Sequence, residues 1–369
     1  MINNRISIIM AGGSGERFWP LSRVNRPKQL LRLTSPTETL VQQAVNRIAP
    51  LIPKENLYIA TSVILQDTIQ QALPDIPSGN ILGEPCKRNT AGCLAYATAQ
   101  ILARFGEAAQ EMVMSITTAD HRIADEEKFR KTVDTAMQFA AEHDALVTIG
   151  IKTTRPETGY GYLEIAQLSQ PAAEIQEKPI YKVARFLEKP TRKEAEQLHF
   201  SQFHFWNSGM FFWKISTFLK SLEKVQPQIV KHINQMAVLI KKGEQQQVDL
   251  LFEQLPDISI DYALMEKASN VYVVLSDFSW DDVGSWDAFE RYNSRDDQGN
   301  ISVGDPVLID CENVTVYNDA GETMAVGVVG IKDAVVVTTP DGVLVCSKDK
   351  AMDVRKVVQQ LKDRNAKQV

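Results

Sequence analysis

The sequence predicts an α/β protein built on a doubly wound, mostly parallel sheet, with a small β domain after it. In the first part of the chain, short apolar runs alternate with segments of helical periodicity, which is typical of β/α units. After residue 293 the helical pattern gives way to short, closely spaced β-rich runs separated by turn signals. The length of 369 residues, 44% of them hydrophobic, is sufficient for two domains and a large buried core.

The α/β part follows a regular order of elements. Strands are predicted at 6–10, 57–61, 80–83, 112–117, 145–151 and 163–165. A later strand is predicted to end at residue 187, and another covers 205–213. Helices are predicted near 39–48, 64–73, 90–105 and 126–143. Ligands of such sheets bind at the carboxyl ends of the strands. Motifs that follow these strands are therefore the candidates for chemistry.

The division between the domains is predicted in the polar stretch 293–300, so that the domains comprise residues 1–293 and 294–369. The β-rich runs of the second domain fit either a few coils of a solenoid or a compact sandwich. A closing helix is predicted to carry its apolar side chains on one face, at Val354, Val357, Val358 and Leu361.

Composition argues against several classes of protein. The formal net charge of −6 leaves no basic surface for nucleic acid or for an anionic membrane. The four cysteines form no C-x-x-C pair and no metal-ligand pattern with the five histidines. No leader-like segment opens the chain, and no apolar run is long enough to span a membrane. We expect a reduced, cytoplasmic protein that binds neither nucleic acid nor membranes.

The glycine-rich turn after the first strand is the most informative motif. It reads Ala-Gly-Gly-Ser-Gly-Glu-Arg at residues 11–17, and Lys28 follows in Arg-Pro-Lys. Glycines let backbone N–H groups approach an anion, and the two cations favour a nucleotide triphosphate. Phe18 stands where a dinucleotide fingerprint has its third glycine, and no Gly-Lys-Ser/Thr follows as in a P-loop. A glycine turn without a ligand is the simpler alternative.

Two acidic motifs could hold a divalent cation. Asp120 follows a predicted buried strand, and Asp282 lies beside Asp281 in an aromatic turn that contains glycine. An aspartate at the end of a strand often caps the next helix instead. Acids in an aromatic turn are costly unless they meet a cation. Together, Asp120 and Asp282 could hold Mg²⁺ against phosphate oxygens.

Three further motifs lie near the ends of predicted strands. Gly161 belongs to Thr-Gly-Tyr-Gly-Tyr, whose glycines suit a close approach of the backbone to a sugar. Glu188 and Lys189 follow a strand that Pro190 ends, so both can serve one site. Asn207 interrupts an aromatic strand that would otherwise be core, and its amide needs a buried partner, for which a sugar hydroxyl would qualify.

The segment between the third strand and the third helix reads Gly-Glu-Pro-Cys-Lys-Arg-Asn-Thr. Asn89 or Thr90 is expected to be the N-cap of the helix. A capping role for these residues leaves Glu84 without an explanation.

These motifs together resemble the signature of the sugar-nucleotide pyrophosphorylases. The wording Ala-Gly-Gly-Ser-Gly-Glu-Arg-Phe-Trp-Pro-Leu-Ser, with Pro-Lys-Gln downstream, is similar to that of the mannose-1-phosphate guanylyltransferases. The resemblance covers nearly the whole chain, although Thr118 stands where relatives often carry proline. It implies a Rossmann-like nucleotidyltransferase domain and a C-terminal domain like a left-handed β-helix. The chain lacks the isomerase domain of longer bifunctional relatives, so one activity is expected.

The resemblance also implies a reaction, in which GTP and mannose 1-phosphate give GDP-mannose and pyrophosphate by in-line attack on the α-phosphorus. Arg17 would hold the β- and γ-phosphates, Lys28 the α-phosphate and Lys189 the sugar phosphate, while Asp120 and Asp282 would bind Mg²⁺. Glu84 would accept hydrogen bonds from guanine. A homodimer is expected. The expected substrate contacts in full are Ala11, Gly12, Gly13, Gly15, Glu84, Asn89, Gly161, Glu188 and Asn207.

Three other functions stay open at this point. The same chemistry could use another sugar 1-phosphate or another base, because hydroxyl stereochemistry is read by details that a sequence does not show. A catalytically silent regulatory homologue would have lost acids or cations, yet the five expected catalytic residues are all present: Arg17, Lys28, Asp120, Lys189 and Asp282. A dinucleotide-dependent dehydrogenase has the missing third glycine against it.

Overall fold

The computed structural model describes residues 4–369, apart from the side chain of Glu322. The chain divides into two compact units. The first contains the chain up to Met10 together with Val45–Thr118 and Ile123–Trp280, and the second contains Ala11–Ala44, Ala119–Arg122 and Asp281–Val369. The division at residue 293 concerns domains along the sequence, and it stays a prediction.

The strands are numbered along the chain. They are β1 (Arg5–Met10), β2 (Leu57–Ser62), β3 (Ile81–Glu84), β4 (Val113–Thr118), β5 (Arg122–Ile123), β6 (Leu146–Lys152), β7 (Tyr162–Ile165), β8 (Ala173–Ile175), β9 (Lys178–Leu187), β10 (His204–Lys214), β11 (Val271–Leu275), β12 (Trp280–Asp281), β13 (Ile301–Val303), β14 (Val307–Ile309), β15 (Thr315–Asn318), β16 (Gly327–Val329), β17 (Ala334–Thr339) and β18 (Gly342–Ser347).

The helices are numbered in the same way. They are α1 (Leu40–Ile48), α2 (Gln66–Ala72), α3 (Asn89–Phe105), α4 (Glu126–Glu142), α5 (Arg192–Phe200), α6 (Ile215–Val225), α7 (Pro227–Lys242), α8 (Gln245–Glu253), α9 (Trp286–Phe289) and α10 (Val354–Asp363). Three short turns of other helix types matter below: the 3₁₀ turns Glu16–Phe18 and Lys28–Leu30 and the π-helical turn Asp261–Met265. Within residues 4–369, no helix combines the length and the apolar character that crossing a membrane requires.

The first unit is built on a ten-stranded sheet in the order β3-β2-β1-β4-β10-β6-β11-β9-β7, with β8 paired to β9. Strands β1 to β4 run parallel to one another, and β6 pairs in parallel with β11. Strand β10 lies antiparallel between β4 and β6, which therefore point the same way. The predicted α/β fold with a mostly parallel sheet is confirmed. Two strands are additions to it, since β10 is inserted antiparallel and β9 lies antiparallel to β11, β7 and β8.

Local sequence explains the ends of several helices in this unit. Asp125 precedes α4, and its side chain accepts the N–H of Lys128. Thr191 and Glu194 form a capping box at the start of α5. The expected cap of α3 is wrong, because neither Asn89 nor Thr90 is the N-cap, a position held by Arg88 without a side-chain hydrogen bond.

The second unit contains a parallel solenoid, one of the two forms that the sequence leaves open. Strands β13, β15 and β17 stack in parallel, and β18 closes the stack antiparallel to β17. Strands β14 and β16 form a second parallel pair. Buried Asn318 joins successive coils, since its amide donates to the carbonyls of Gly304 and Met324 and accepts the hydroxyl of Thr338. The C-terminal domain is therefore β-helix-like.

The second unit also has a core that joins distant segments. Phe18 and Trp19 from the N-terminal part pack in one cluster with Val337 of the solenoid and with Val354 and Val358 of α10. The closing helix thus buries its apolar face as predicted at these two valines. Leu361 is partly buried against the same cluster, whereas Val357 is 39% exposed, contrary to the burial expected of that face.

Candidate active site

The glycine-rich loop lies in the second unit, between β1 and the 3₁₀ turn that begins at Glu16. Gly15 has a φ of +62°, and a Cβ at this position would lie 2.3 Å from Cβ of Lys28. Only glycine lets the loop pass this close to Lys28 with this backbone conformation. The carbonyl of Gly15 accepts the N–H of Phe18 and the hydroxyl of Ser22, each at 2.8 Å. These contacts hold the loop against the segment that carries Lys28.

Lys28 is the centre of a polar cluster in this unit. It is only 5% exposed. Its Nζ donates to Oδ2 of Asp120 at 2.9 Å and to the backbone carbonyl of Asp282 at 2.6 Å. Burial opposes ionisation of Asp120, but the charges of Lys28 and His121 outweigh it and hold the pKa of Asp120 below its usual value. The structure therefore brings together Lys28 and the two aspartates that the sequence singled out.

A cavity of about 370 Å³ opens over this cluster. Its wall carries both cations and carboxylates, since Arg17 and Lys28 line it together with Asp120 and Asp282. The Arg17 guanidinium also donates to the carbonyl of Gly284 at 3.3 Å. The residues that line the cavity are Ser14, Gly15, Glu16, Arg17, Lys28, Asp120, His121, Asp282, Gly284 and Arg355.

The neighbouring acid, Asp281, has a different position. Its carboxylate makes an ion pair with Arg291, with N···O distances of 2.5 and 2.9 Å, and accepts the N–H of Val283 at 2.7 Å. It does not line the cavity just described. The geometry accordingly distinguishes Asp282, at the cavity, from Asp281, which holds the turn together.

The first unit gathers a second set of expected residues. A Cβ added to Gly161 would lie 2.5 Å from Oε2 of Glu188 and 3.4 Å from Cβ of Asn207. The Asn207 N–H donates to the Gly161 carbonyl at 2.8 Å. The Glu188 carboxylate is 7% exposed and pairs with Lys189 Nζ at 3.0 Å, whereas the Lys189 side chain is 56% exposed. Gly161 therefore leaves room for the acid that sits beside Asn207.

The amide of Asn207 has partners within the protein. Its Nδ2 donates to Oδ1 of Asp261 at 3.0 Å, and its Oδ1 accepts the hydroxyl of Thr148 at 3.0 Å. The sequence predicted a buried partner for this amide, and the chain itself supplies three, since Oδ1 also accepts the N–H of Gly209 at 3.3 Å. Asp261 was missed, although an acid inside the apolar run Ile-Ser-Ile-Asp-Tyr-Ala-Leu-Met was a signal that could have found it. Burial, followed by repulsion from Glu188, raises the pKa of Asp261 to about 6.

The raised pKa of Asp261 predicts a pH-dependent stability. The pKa of about 6 in the folded protein exceeds the ordinary 3.8. The contribution of this carboxyl group to the free energy of unfolding is therefore fully present below pH 3.8 and is lost as pH rises through 6. Asp261→Asn removes that loss, on the order of 3 kcal/mol at pH 8. We expect the variant to have a higher Tm than the wild type at pH 8 and a similar Tm at pH 4. Exposed Asp257→Asn serves as the control, and an equal drop in Tm at both pH values would contradict the assignment.

Glu84 and Asn89 flank the start of α3 in the first unit. Burial raises the pKa of Glu84 to about 7, against the effect of the Cys93 thiol, which hydrogen-bonds to its carboxylate. Asn89 has a φ of +56° and its Oδ1 accepts the N–H of Thr90 at 2.9 Å. Thr90 Oγ1 in turn accepts the N–H of Ile260 at 2.8 Å. Cys93 is a contact of Glu84 that the sequence did not indicate.

Comparisons with known proteins agree with these motifs over nearly the whole chain. A model of the nucleotidyl transferases matches residues 6–299, and one of the MannoseP isomerase/GMP-like beta-helix domain matches residues 304–361. The mannose-1-phosphate guanylyltransferase of Klebsiella pneumoniae is 36% identical over 363 residues, which are 97% of this chain and 74% of that protein. That of Escherichia coli strain K12 is 37% identical over 360 residues, 96% of this chain and 73% of that protein.

A solved structure agrees as well. The crystal structure of mannose-1-phosphate geranyltransferase from Thermus thermophilus matches with a TM-score of 0.83 and 34% identity, over 97% of this chain and 99% of that one. Since one transferase model covers most of the chain and the relatives exceed 30% identity, the chain is an enzyme that belongs to the mannose-1-phosphate guanylyltransferase family.

Proposed function

We propose that this enzyme transfers GMP from GTP to mannose 1-phosphate, which yields GDP-mannose and pyrophosphate. The observation that carries the proposal is the cavity of the second unit, where the glycine-rich loop meets cations and carboxylates, among them Arg17, Lys28, Asp120 and Asp282. Such a wall suits a polyanion that brings a divalent cation with it. The relatives that cover nearly all of this chain are named for the same transfer.

Charge neutralisation is the main task of the residues at the phosphates, because in-line phosphoryl transfer needs no covalent nucleophile. The Lys28 ammonium has three N–H donors, of which Asp120 and Asp282 use two. The third can donate to an oxygen of the α-phosphate, where charge develops. Arg17, beside the glycine loop, would hold the β- and γ-phosphates that leave as pyrophosphate.

The residues at the cavity also fit the magnesium ion that the resemblance implies. Mg²⁺ prefers oxygen ligands and is usually bound by one or two carboxylates together with substrate phosphates. Asp120 and Asp282, which both line the cavity, match that donor set. No group of three or more His, Cys, Asp or Glu side chains able to hold a metal occurs among residues 4–369, so a cage made by the protein alone is not offered there. The ion would neutralise charge on the phosphate oxygens and orient them.

The cluster of the first unit is assigned to the sugar phosphate. Lys189 has a largely exposed ammonium beside a buried carboxylate, which suits it to a phosphate group. Glu188 and the Asn207 amide, which Asp261 and Thr148 hold in place, would accept from and donate to sugar hydroxyls. The backbone at Gly161 would lie against the sugar ring.

The proposed activity has a direct test. The purified protein is incubated with Mg²⁺, each common nucleoside triphosphate and several hexose 1-phosphates, and the release of pyrophosphate is measured. We expect the highest kcat/KM for GTP with mannose 1-phosphate. A higher value for another pair would reassign the substrate, and no release with any pair would indicate the silent regulatory homologue.

Glu84 is proposed to read guanine, and this role predicts a change in base selectivity. An ionised carboxylate can accept from both the ring N–H and the exocyclic amine of guanine. Glu84→Gln places a donor against a guanine donor, so kcat/KM for GTP is expected to fall about tenfold to a hundredfold. Uracil presents an acceptor beside its ring N–H, so UTP should lose less. Exposed Glu253→Gln is the control, and an unchanged GTP/UTP ratio would show that the base is read elsewhere.

The raised pKa of Glu84 adds a second measurement to this test. With a pKa of about 7 in the free protein, the carboxyl group becomes protonated as pH falls from 8 to 6 and then presents a donor, as glutamine does. Selectivity of the wild type for GTP over UTP should therefore weaken toward pH 6. Glu84→Gln should show no such trend, although its side chain can still accept from the Cys93 thiol.

We also propose that the enzyme is a homodimer and acts in the cytoplasm, without nucleic acid or membrane partners. The solenoid exposes apolar side chains on the strands β14 and β16, at Val307, Ile309 and Val329. A contiguous apolar patch of this kind is typical of a surface that another protein covers. Light scattering coupled to size exclusion would give the mass, and a monomer at every concentration would contradict the dimer.

A further inference from the structure

The closing helix α10 is attached to the glycine-rich segment of the same unit. Lys362 Nζ pairs with Oε1 of Glu16 at 2.6 Å, and the Trp19 indole donates to the Gln368 carbonyl at 2.7 Å. Val354 and Val358 bury one face of the helix in the core that contains Phe18. These contacts hold the first turn of α10 at the cavity wall.

Arg355 is the residue that this arrangement brings to the cavity. It follows buried Val354 and lines the cavity together with Arg17 and Lys28. In the described part of the chain, its guanidinium makes no hydrogen bond and no ion pair within 4.0 Å. Its charge does act on Asp353, whose pKa lies below the usual value chiefly because of its hydrogen bond to Lys356.

The other charged groups of the wall are already engaged. Lys28 is bound to Asp120 and Asp282, and Arg17 donates to the Gly284 carbonyl. Glu16 is neutralised by Lys362, outside the cavity wall. The Arg355 guanidinium lies at the cavity on a flexible side chain and is not paired with a protein carboxylate. Its planar N–H donors can therefore bind two phosphate oxygens at once.

We propose that Arg355 binds the β- and γ-phosphates of the nucleotide and hence the pyrophosphate that is released. The proposal rests on the proposed function, since it needs a triphosphate in this cavity. It makes α10, at the end of the β-helix-like domain, a part of the substrate site. None of the sequence motifs described above includes this residue.

The experiment measures binding of pyrophosphate and Mg²⁺ to the whole protein by calorimetry, without turnover. Arg355→Ala is expected to weaken pyrophosphate binding about tenfold or more, and Arg355→Lys by less. The control is Lys356→Ala, since Lys356 is exposed, pairs with Asp353 at 2.8 Å and does not line the cavity. Arg355 is itself exposed, and equal Tm values will show that the fold is intact.

Steady-state kinetics supply the second readout. In the reverse direction, Arg355→Ala should raise KM for pyrophosphate and leave KM for GDP-mannose within about twofold. An unchanged affinity for pyrophosphate, or an equal loss in Lys356→Ala, would overturn the role of Arg355, as would a wild type that does not bind pyrophosphate. The wild type could bind pyrophosphate and yet produce none from any pair of substrates. In that case the proposed function fails, while the binding data still decide whether Arg355 binds pyrophosphate.

Discussion

Lys28→Met is expected to lower kcat by about 10²–10³-fold, the loss typical of removing one donor to developing charge. Methionine keeps the length and apolar volume of the lysine stem, so the buried position stays filled. What is lost is the ammonium that lies between the Asp120 carboxylate and the Asp282 carbonyl. The variant should therefore lack the positive charge expected at the α-phosphate, and Asp120 should be held less firmly in its position.

Single-turnover and steady-state rates measure this loss, with Tm as the check on folding. Lys54→Met is a suitable control, because Lys54 forms an exposed ion pair with Asp75 in the other unit. A surface pair of this kind contributes little, so its removal should leave kcat unchanged. A kcat of Lys28→Met within twofold of the wild-type value would show that Lys28 has no role in the reaction.

The second large effect is expected at the two aspartates of the cavity. Asp120→Asn and Asp282→Asn should each reduce turnover by several orders of magnitude, because an ion that neutralises phosphate charge contributes several kcal/mol to transition-state binding. Asp281→Asn should act differently, since Asp281 holds Arg291 and the Val283 N–H. Its loss should lower Tm and change kcat much less.

The measurement is kcat at saturating and at limiting Mg²⁺ for the three variants. For Asp120→Asn and Asp282→Asn, we also expect the concentration of Mg²⁺ that gives half-maximal rate to rise. The adjacent position of Asp281 makes it a matched control for charge and for the turn. Near-normal turnover of Asp120→Asn with Mg²⁺ would show that the metal assignment is wrong.

Much of the fold could be predicted because local periodicity reports on it. Strands β1 to β4 and helices α3 and α4 lie within one or two residues of their predicted ranges, since alternating β/α segments carry their own apolar pattern. The insertion of β10 between β4 and β6 depends on pairing across long stretches of sequence. No local pattern contains that information.

The candidate site, like the fold, could be predicted only where local sequence carries the information. The glycine loop, Lys28 and the two aspartates were found because each stands in a distinctive local motif. The bond between Lys28 and Asp120 joins residues 92 positions apart, so only the fold reveals it. Arg355 lies in an ordinary amphipathic helix, and its sequence neighbourhood gives no sign that it lines the cavity.

The shared core of the second unit limits how the protein can be recombined. Phe18, next to the glycine loop, packs in one cluster with Val335 and Val337 of the solenoid and Val354 of α10. Coils of a β-helix resemble interchangeable modules, but these support the glycine-rich loop on the face of β17 opposite to the solenoid's own core of Val316, Val328 and Val336. A chimera that exchanged them for coils of another solenoid would keep every side chain of the glycine-rich loop and still lose the packing that supports the loop. A working chimera would therefore have to exchange the glycine-rich segment and the coils together.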